Sequence, residues 1–162
     1  MLLLIRFFVM YTVFPLVTVL LAKGLGFISS IYLRTQKDRI IPYIGCGLYY
    51  FWMWYVLRNQ PEFPKELVML SLAIFLASSI GLIFNSFIKI SMHALSAGVM
   101  VTFILLLAFH SSASFGPYIS AALFFTGLIC TARLVNSDHH PSEVYLGLLG
   151  GVIAQLVASL FV

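Results

Sequence analysis

The chain has 162 residues, 62% of them hydrophobic and only 9% charged, with a net charge of +4; its mean hydropathy is +1.07 and its pI near 9.2. This excludes a soluble core, and the length leaves no room for a separate soluble domain beside about six apolar spans of roughly 20 residues each. The basic residues stand at the ends of apolar runs, where they meet head groups and phosphates, so nucleic acid is not an expected partner. The expected fold is therefore all-α, an integral membrane bundle of about six transmembrane helices in one domain over residues 1–162.

The first span is expected from Leu2 to about Ala22, with Arg6 near its start and Pro15 within it as the source of a kink. It has no basic segment ahead of the apolar run and no small-residue cleavage site, so it reads as a retained helix and not as a signal peptide. Lys23 to Arg39 is the first connector and holds the densest basic run, Arg34, Lys37 and Arg39. That run suits a positive-inside anchor or a phosphate-binding group equally. The second span, about Ile40 to Leu57, ends in Tyr49, Tyr50, Phe51, Trp52, Trp54 and Tyr55, which read as an interfacial belt or as lipid-tail packing.

Arg58 to Glu66, with Pro61 and Pro64, is a turn, and Leu67 to about Phe84 is the third span. Lys89, Ser91 and His93 then stand together at the mouth of a fourth span reaching about Phe109. His110 to Gly116 is a small polar turn whose histidine reads as interfacial. Pro117 to about Leu134 is the fifth span, closing on Arg133, and the sixth runs from about Ser142 to Val162. Cys46 and Cys130 lie in different apolar runs and read as small buried hydrophobes.

Between the fifth and sixth spans, Arg133, Asp138, His139, His140 and Glu143 crowd into about a dozen residues. Ionisable groups are costly at membrane depth, so such a cluster at a break between apolar runs is a candidate site. Pro141 suits the first position of a new helix, which makes His140 its N-cap and Glu143 its third residue, able to reach back and orient a histidine. Glu143, Gly147 and Gly151 repeat every four residues, a face that lets another helix approach closely and would bring the histidines inside the bundle.

Because successive connectors alternate sides, the first, third and fifth share one face of the membrane. Arg34, Lys37 and Arg39, then Lys89, Ser91 and His93, then Arg133, His139, His140 and Glu143 all fall there, whereas the second and fourth connectors hold little beyond Arg58, Glu62, Lys65, Glu66 and His110. Several cations, two or three histidines and one carboxylate suit phosphoryl transfer, which asks mainly for positioning and charge stabilisation. A histidine whose tautomer is set by a carboxylate can be the nucleophile, and a second can protonate the leaving oxygen.

These residues resemble the type 2 phosphatidic acid phosphatase superfamily of membrane lipid phosphatases. Its third motif, Ser-Arg-x5-His-x3-Asp, is similar to Ala132-Arg133, five residues, His139, three residues and Glu143. Its second motif, Pro-Ser-Gly-His, is similar to Ile90-Ser91-Met92-His93, and its first, Lys-x6-Arg-Pro, has a loose counterpart in Arg34 to Pro42. With six spans and all motifs on one side, the resemblance covers most of the chain. It implies that His139 is the nucleophile, Glu143 its orienting group and His93 the acid to the leaving group. Arg133, Ser91, and Lys37 or Arg39 would bind phosphate; Lys89 and His140 are further candidates at the same face, and His140 is an alternative to His139 as nucleophile.

The family acts without a metal or other cofactor on lipid phosphates or isoprenyl pyrophosphates, so a lipid phosphate and membrane lipids are the partners the resemblance implies. Three departures stand out: Glu143 for Asp, Met92 for the glycine whose backbone would approach phosphate closely, and the degenerate first motif. Met92 and the weak first motif argue for a second reading, a non-catalytic member of the same fold serving as a lipid-binding or structural subunit with a membrane-protein partner; the retained Arg133, His139, Glu143 and His93 argue against it. A third reading makes His93, His139 or His140 and Glu143 metal ligands, or two histidines axial haem ligands; the three or more nearby cations count against it. Short loops and small size suggest a bacterial inner membrane, with the motif face periplasmic although positive-inside counting points to the cytoplasm.

Overall fold

The computed structural model describes residues 2–33, 35–136 and 139–162, with the side chains of residues 2–4 excepted; Arg34 and Asp138 lie outside the described residues. The described chain is all-helical, and six stretches are long and apolar enough to cross a membrane. It is an integral membrane protein. The first span is built from α1 (Leu2–Phe8), a π-helical turn (Val9–Val13) and α2 (Phe14–Gly24). Pro15 sits at the start of α2; a proline there cannot donate to the carbonyl four residues back, and the wider π-helical turn just before it accommodates the ring. At the proline expected to kink it, the span changes helix type.

The remaining spans are α3 (Gln36–Arg58), α4 (Lys65–Asn85), α5 (Met92–His110), α6 (Gly116–Val135) and α7 (Pro141–Ser159). Helix α3 begins a full turn before the expected Ile40, because Thr35 is an effective N-cap: its hydroxyl accepts from the Asp38 amide at 3.1 Å. Lys37, Asp38 and Arg39 therefore belong to a helix and not to the connector. The Ser91 hydroxyl caps α5 in the same way, accepting from Ala94 at 3.4 Å. His140 is the N-cap of α7, Pro141 follows it, and the Glu143 carboxylate accepts from the His140 amide at 3.2 Å, the geometry expected from the order of these residues.

The core is a trio of α4, α5 and α7, closed by Leu72, Ala73 and Ala77, by Ile90, Leu95 and Val99, and by Ala154 and Ala158. Between α5 and α7 the backbones are in direct contact. A Cβ on Gly147 would lie 2.7 Å from the Ser91 carbonyl oxygen, and one on Gly98 or Gly151 would overlap the carbonyl of Leu148 or Leu95. Apolar side chains gain nothing by leaving lipid for one another, so this pair relies on close van der Waals contact that only the small residues permit.

Helix α3 lies against α4 and the first span. Its aromatic end is divided: Trp52 and Tyr55 are exposed, as a belt requires, while Tyr50 stacks on Tyr11 with centroids 5.4 Å apart and Trp54 packs on the core under Arg58. Helix α6 is peripheral and presents Leu123, Phe124, Phe125 and Leu128 outward. His110 is exposed and its Nδ1–H donates to Leu106 at 2.8 Å.

Candidate active site

Three connectors meet at one end of the bundle. In the first, the Asp38 carboxylate accepts from the Ser29 amide at 2.6 Å and from its hydroxyl at 2.7 Å, which folds the loop back on α3. The Leu33 backbone takes a left-handed φ of 50°, a conformation unfavourable for a branched residue and held here by its surroundings. Its carbonyl accepts from Arg39 Nε at 2.8 Å, and Arg39 Nη1 donates at 2.8 Å to the carbonyl of Ile90 just ahead of α5. Buried Arg39 thus ties the first connector to the third. Gln36 and Asn85 add a second tie, each side-chain amide donating to the other's backbone carbonyl at 3.0 and 2.8 Å.

The third and fifth connectors are joined by backbone. The Ser91 amide donates to the Glu143 carbonyl at 3.1 Å, so the start of α5 is latched to the first turn of α7. His139 is buried at this latch, and its Nδ1 lies 2.9 Å from Glu143 Oε2 and 3.0 Å from the Lys89 carbonyl oxygen. A carboxylate and a carbonyl can only accept, so Nδ1 must carry the hydrogen. The neutral ring then has its lone pair on Nε2.

His139 borders a cavity of about 690 Å³ whose polar wall also holds Arg39, His93 and Arg133. The rest of the wall is Ile31, Tyr32 and Leu33 from the first connector, Met92, Ser96, Ala97 and Met100 from α5, and Ile129 from α6. One histidine with a set tautomer, a second exposed histidine and two guanidinium groups share this one space. The N-termini of α3, α5 and α7 are at the same end of the bundle and add a positive potential that favours an anion.

Not all of the residues singled out in the sequence reach the cavity. Ser91 is fully buried, its hydroxyl committed to the cap of α5. Lys37 is exposed, His140 is exposed at the N-cap of α7, and Lys89 contributes its carbonyl to His139; none of the three side chains is on the cavity wall. Choosing between Lys37 and Arg39 needs the helix register: α3 starts early, and Arg39 turns inward while Lys37 turns out. The Ser29–Asp38 lock and the wall residues Tyr32 and Met100 had no motif to reveal them. Among the described residues no three His, Cys, Asp or Glu side chains come close enough together to hold a metal ion.

Replacing Arg39 by Met is expected to destabilise the protein by about 1–3 kcal/mol for each buried carbonyl left without a donor, chiefly that of Ile90. Thermal unfolding in detergent measures this, and Arg39→Lys, which keeps one donor group, should recover part of the loss. No protein-family model, curated protein or solved structure matches this chain.

Proposed function

We propose that the protein is a metal-independent lipid phosphate phosphatase that works through a phosphohistidine on His139. The observation that carries the reading is His139, held by Glu143 at 2.9 Å, on the wall of a cavity it shares with Arg39, Arg133 and His93. The resemblance of Arg133, His139, Glu143, Ser91 and His93 to the phosphatidic acid phosphatase motifs supports the same chemistry.

In the proposed reaction, the phosphate of a monoester or pyrophosphate lies between the Arg39 and Arg133 guanidinium groups, which offset its charge and that of the transition state. The Nε2 lone pair of His139 forms a bond to phosphorus as the bond from phosphorus to the leaving oxygen breaks. The His93 imidazolium gives its proton to that oxygen, releasing the lipid alcohol or lipid monophosphate. Glu143 stabilises the positive charge that develops on the His139 ring and keeps Nδ1 protonated. Neutral His93 then takes a proton from a water that attacks phosphorus; the N–P bond breaks, its electron pair returns to Nε2, and inorganic phosphate leaves. The site is assigned to the periplasmic face of a bacterial inner membrane, since arginines that bind substrate phosphate do not report topology.

The test is phosphate release, with EDTA present, from phosphatidic acid, phosphatidylglycerophosphate, and undecaprenyl phosphate and pyrophosphate in detergent. Release from at least one lipid is expected, and Glu143→Gln should lower it on the order of 10²- to 10⁴-fold while leaving the fold intact, because a carboxamide can offer its NH₂ to Nδ1 and so favour the wrong tautomer. A folded protein that releases phosphate from none of them overturns the reading. It would favour the second one, a non-catalytic lipid-binding subunit, for which the Ser91 hydroxyl occupied by its cap is the supporting observation.

A further inference from the structure

The first connector forms a strap along one side of the polar cavity. Its turn is set locally: the Ser30 carbonyl accepts from the Leu33 amide and the Ser30 hydroxyl from the Tyr32 amide, each at 3.2 Å. Both ends of that turn are tied down. Ser29 is held through all three of its polar groups, its amide and hydroxyl by the Asp38 carboxylate at 2.6 and 2.7 Å and its carbonyl by Lys23 Nζ at 2.6 Å. At the other end the Leu33 carbonyl accepts from Arg39 Nε at 2.8 Å. Ile31, Tyr32 and Leu33 line the cavity.

The tie at Leu33 is the unfavourable one. Its φ of 50° is left-handed, and a residue with a side chain keeps that conformation only when its surroundings impose it. A connector released at Ser29 would relax to negative φ and turn the Leu33 carbonyl away from Arg39. The two bonds from Nε to Leu33 and from Nη1 to Ile90, both 2.8 Å, together fix the plane of the Arg39 guanidinium. Loss of the first leaves the group free to turn about the second.

We infer that Asp38 is a positioning residue for the phosphate site: by holding Ser29 it keeps the strap in place and Leu33 left-handed, and through the Leu33 carbonyl it sets the Arg39 guanidinium against the phosphate. The inference rests on the phosphatase reading for the role of Arg39 and adds a residue that does not itself reach the cavity. Asp38 is buried and is not on the cavity wall. Neighbours on a helix point about 100° apart, so Asp38 grips the connector while Arg39 faces the site. Charge gives the inference a sign of its own. A carboxylate near an anion site that acted only through its charge would weaken anion binding, and its removal would strengthen it; a positioning role predicts the opposite.

Binding of inorganic phosphate to the protein in detergent, measured by isothermal titration calorimetry, is the readout, since it needs no turnover. Asp38→Ala is expected to weaken it about tenfold or more, the order of one lost charge-assisted contact. Asp38→Asn should stay within about threefold of the parent, because its carboxamide oxygen still accepts from the Ser29 amide and its NH₂ can donate to the Ser29 hydroxyl. Ser29→Ala removes one of the two bonds and keeps the carboxylate; it should fall between these variants, and it serves where Asp38→Ala does not fold. In an Arg39→Lys protein, whose ammonium lacks the planar fork, Asp38→Ala should cost less than about twofold more, whereas in Arg133→Gln its full effect should persist. Binding that is unchanged or tighter in Asp38→Ala overturns the inference. So does an equal loss in the parent and Arg39→Lys backgrounds, which would make Asp38 a support of the fold alone, and so does a parent that binds no phosphate. The two readings fail separately. Phosphate binding weakened by Asp38→Ala in a protein that releases none from any lipid keeps the positioning role and retires the hydrolysis; lipid phosphate release with kcat/KM equal in Asp38→Ala and the parent does the reverse.

Discussion

Substituting His139 by Gln is expected to lower lipid phosphate release by at least about 1,000-fold, because in the proposed mechanism it removes the nucleophile itself and not a group that assists it. The substitution is mild for the fold: an amide of similar reach can still donate to Glu143 and the Lys89 carbonyl, the two acceptors that hold His139 at 2.9 and 3.0 Å. The double variant His139→Gln, Glu143→Gln should be no slower than His139→Gln alone. Glu143 acts through the His139 ring, so once the ring is gone its carboxylate has nothing left to orient, and the two losses do not add. Rapid quench into base with a lipid labelled in its phosphate should trap an acid-labile phosphoryl group on the parent protein and none on His139→Gln. Equal label on the two, or turnover that survives in His139→Gln, would assign the nucleophile elsewhere, with His140 the first candidate to examine.

The largest effect on stability is expected at the α5–α7 contact. Gly151→Ala or Gly98→Ala brings a methyl group into a backbone carbonyl of the facing helix, Leu95 in the first case and Leu148 in the second. Neither neighbour is a flexible side-chain end that could swing aside, so the helices must separate, at a cost of at least about 2 kcal/mol. Gly127→Ala is the control. A Cβ there meets nothing within 4 Å, and replacing a helical glycine by alanine should be neutral or stabilising by up to about 1 kcal/mol. Thermal unfolding in one detergent, monitored by helical circular dichroism, ranks the three. Separation of α5 from α7 would also pull Ser91 from the Glu143 carbonyl, so any Gly151→Ala protein that does fold should lose phosphatase activity more than its stability alone accounts for.

Much of this architecture follows from local chemistry that the sequence carries openly. Six spans are legible because about 20 apolar residues satisfy both the bilayer and their own backbone without help from neighbours. The start of α7 is legible for a similar reason: His140, Pro141 and Glu143 act within a single turn, and the cap they form is a local hydrogen-bond pattern. The glycine spacing that lets α7 approach another helix could also be read, since it depends only on the helical repeat.

The sequence alone could not say which of the polar residues on the shared face would meet, because that depends on partners 50 or 51 residues away. Arg39 reaches the Ile90 carbonyl and His139 the Lys89 carbonyl across that distance, while Lys37, two positions from Arg39, is turned out by the helix that Thr35 starts early. Ser91 shows the reverse case: a motif residue by position, it is drawn into capping α5 because that helix begins immediately after it. The sequence by itself determined an all-helical membrane bundle and the face on which its charges gather. Tertiary structure decided which charges line the cavity and that an apolar cavity borders it, since both depend on how helices far apart in the chain are turned toward one another.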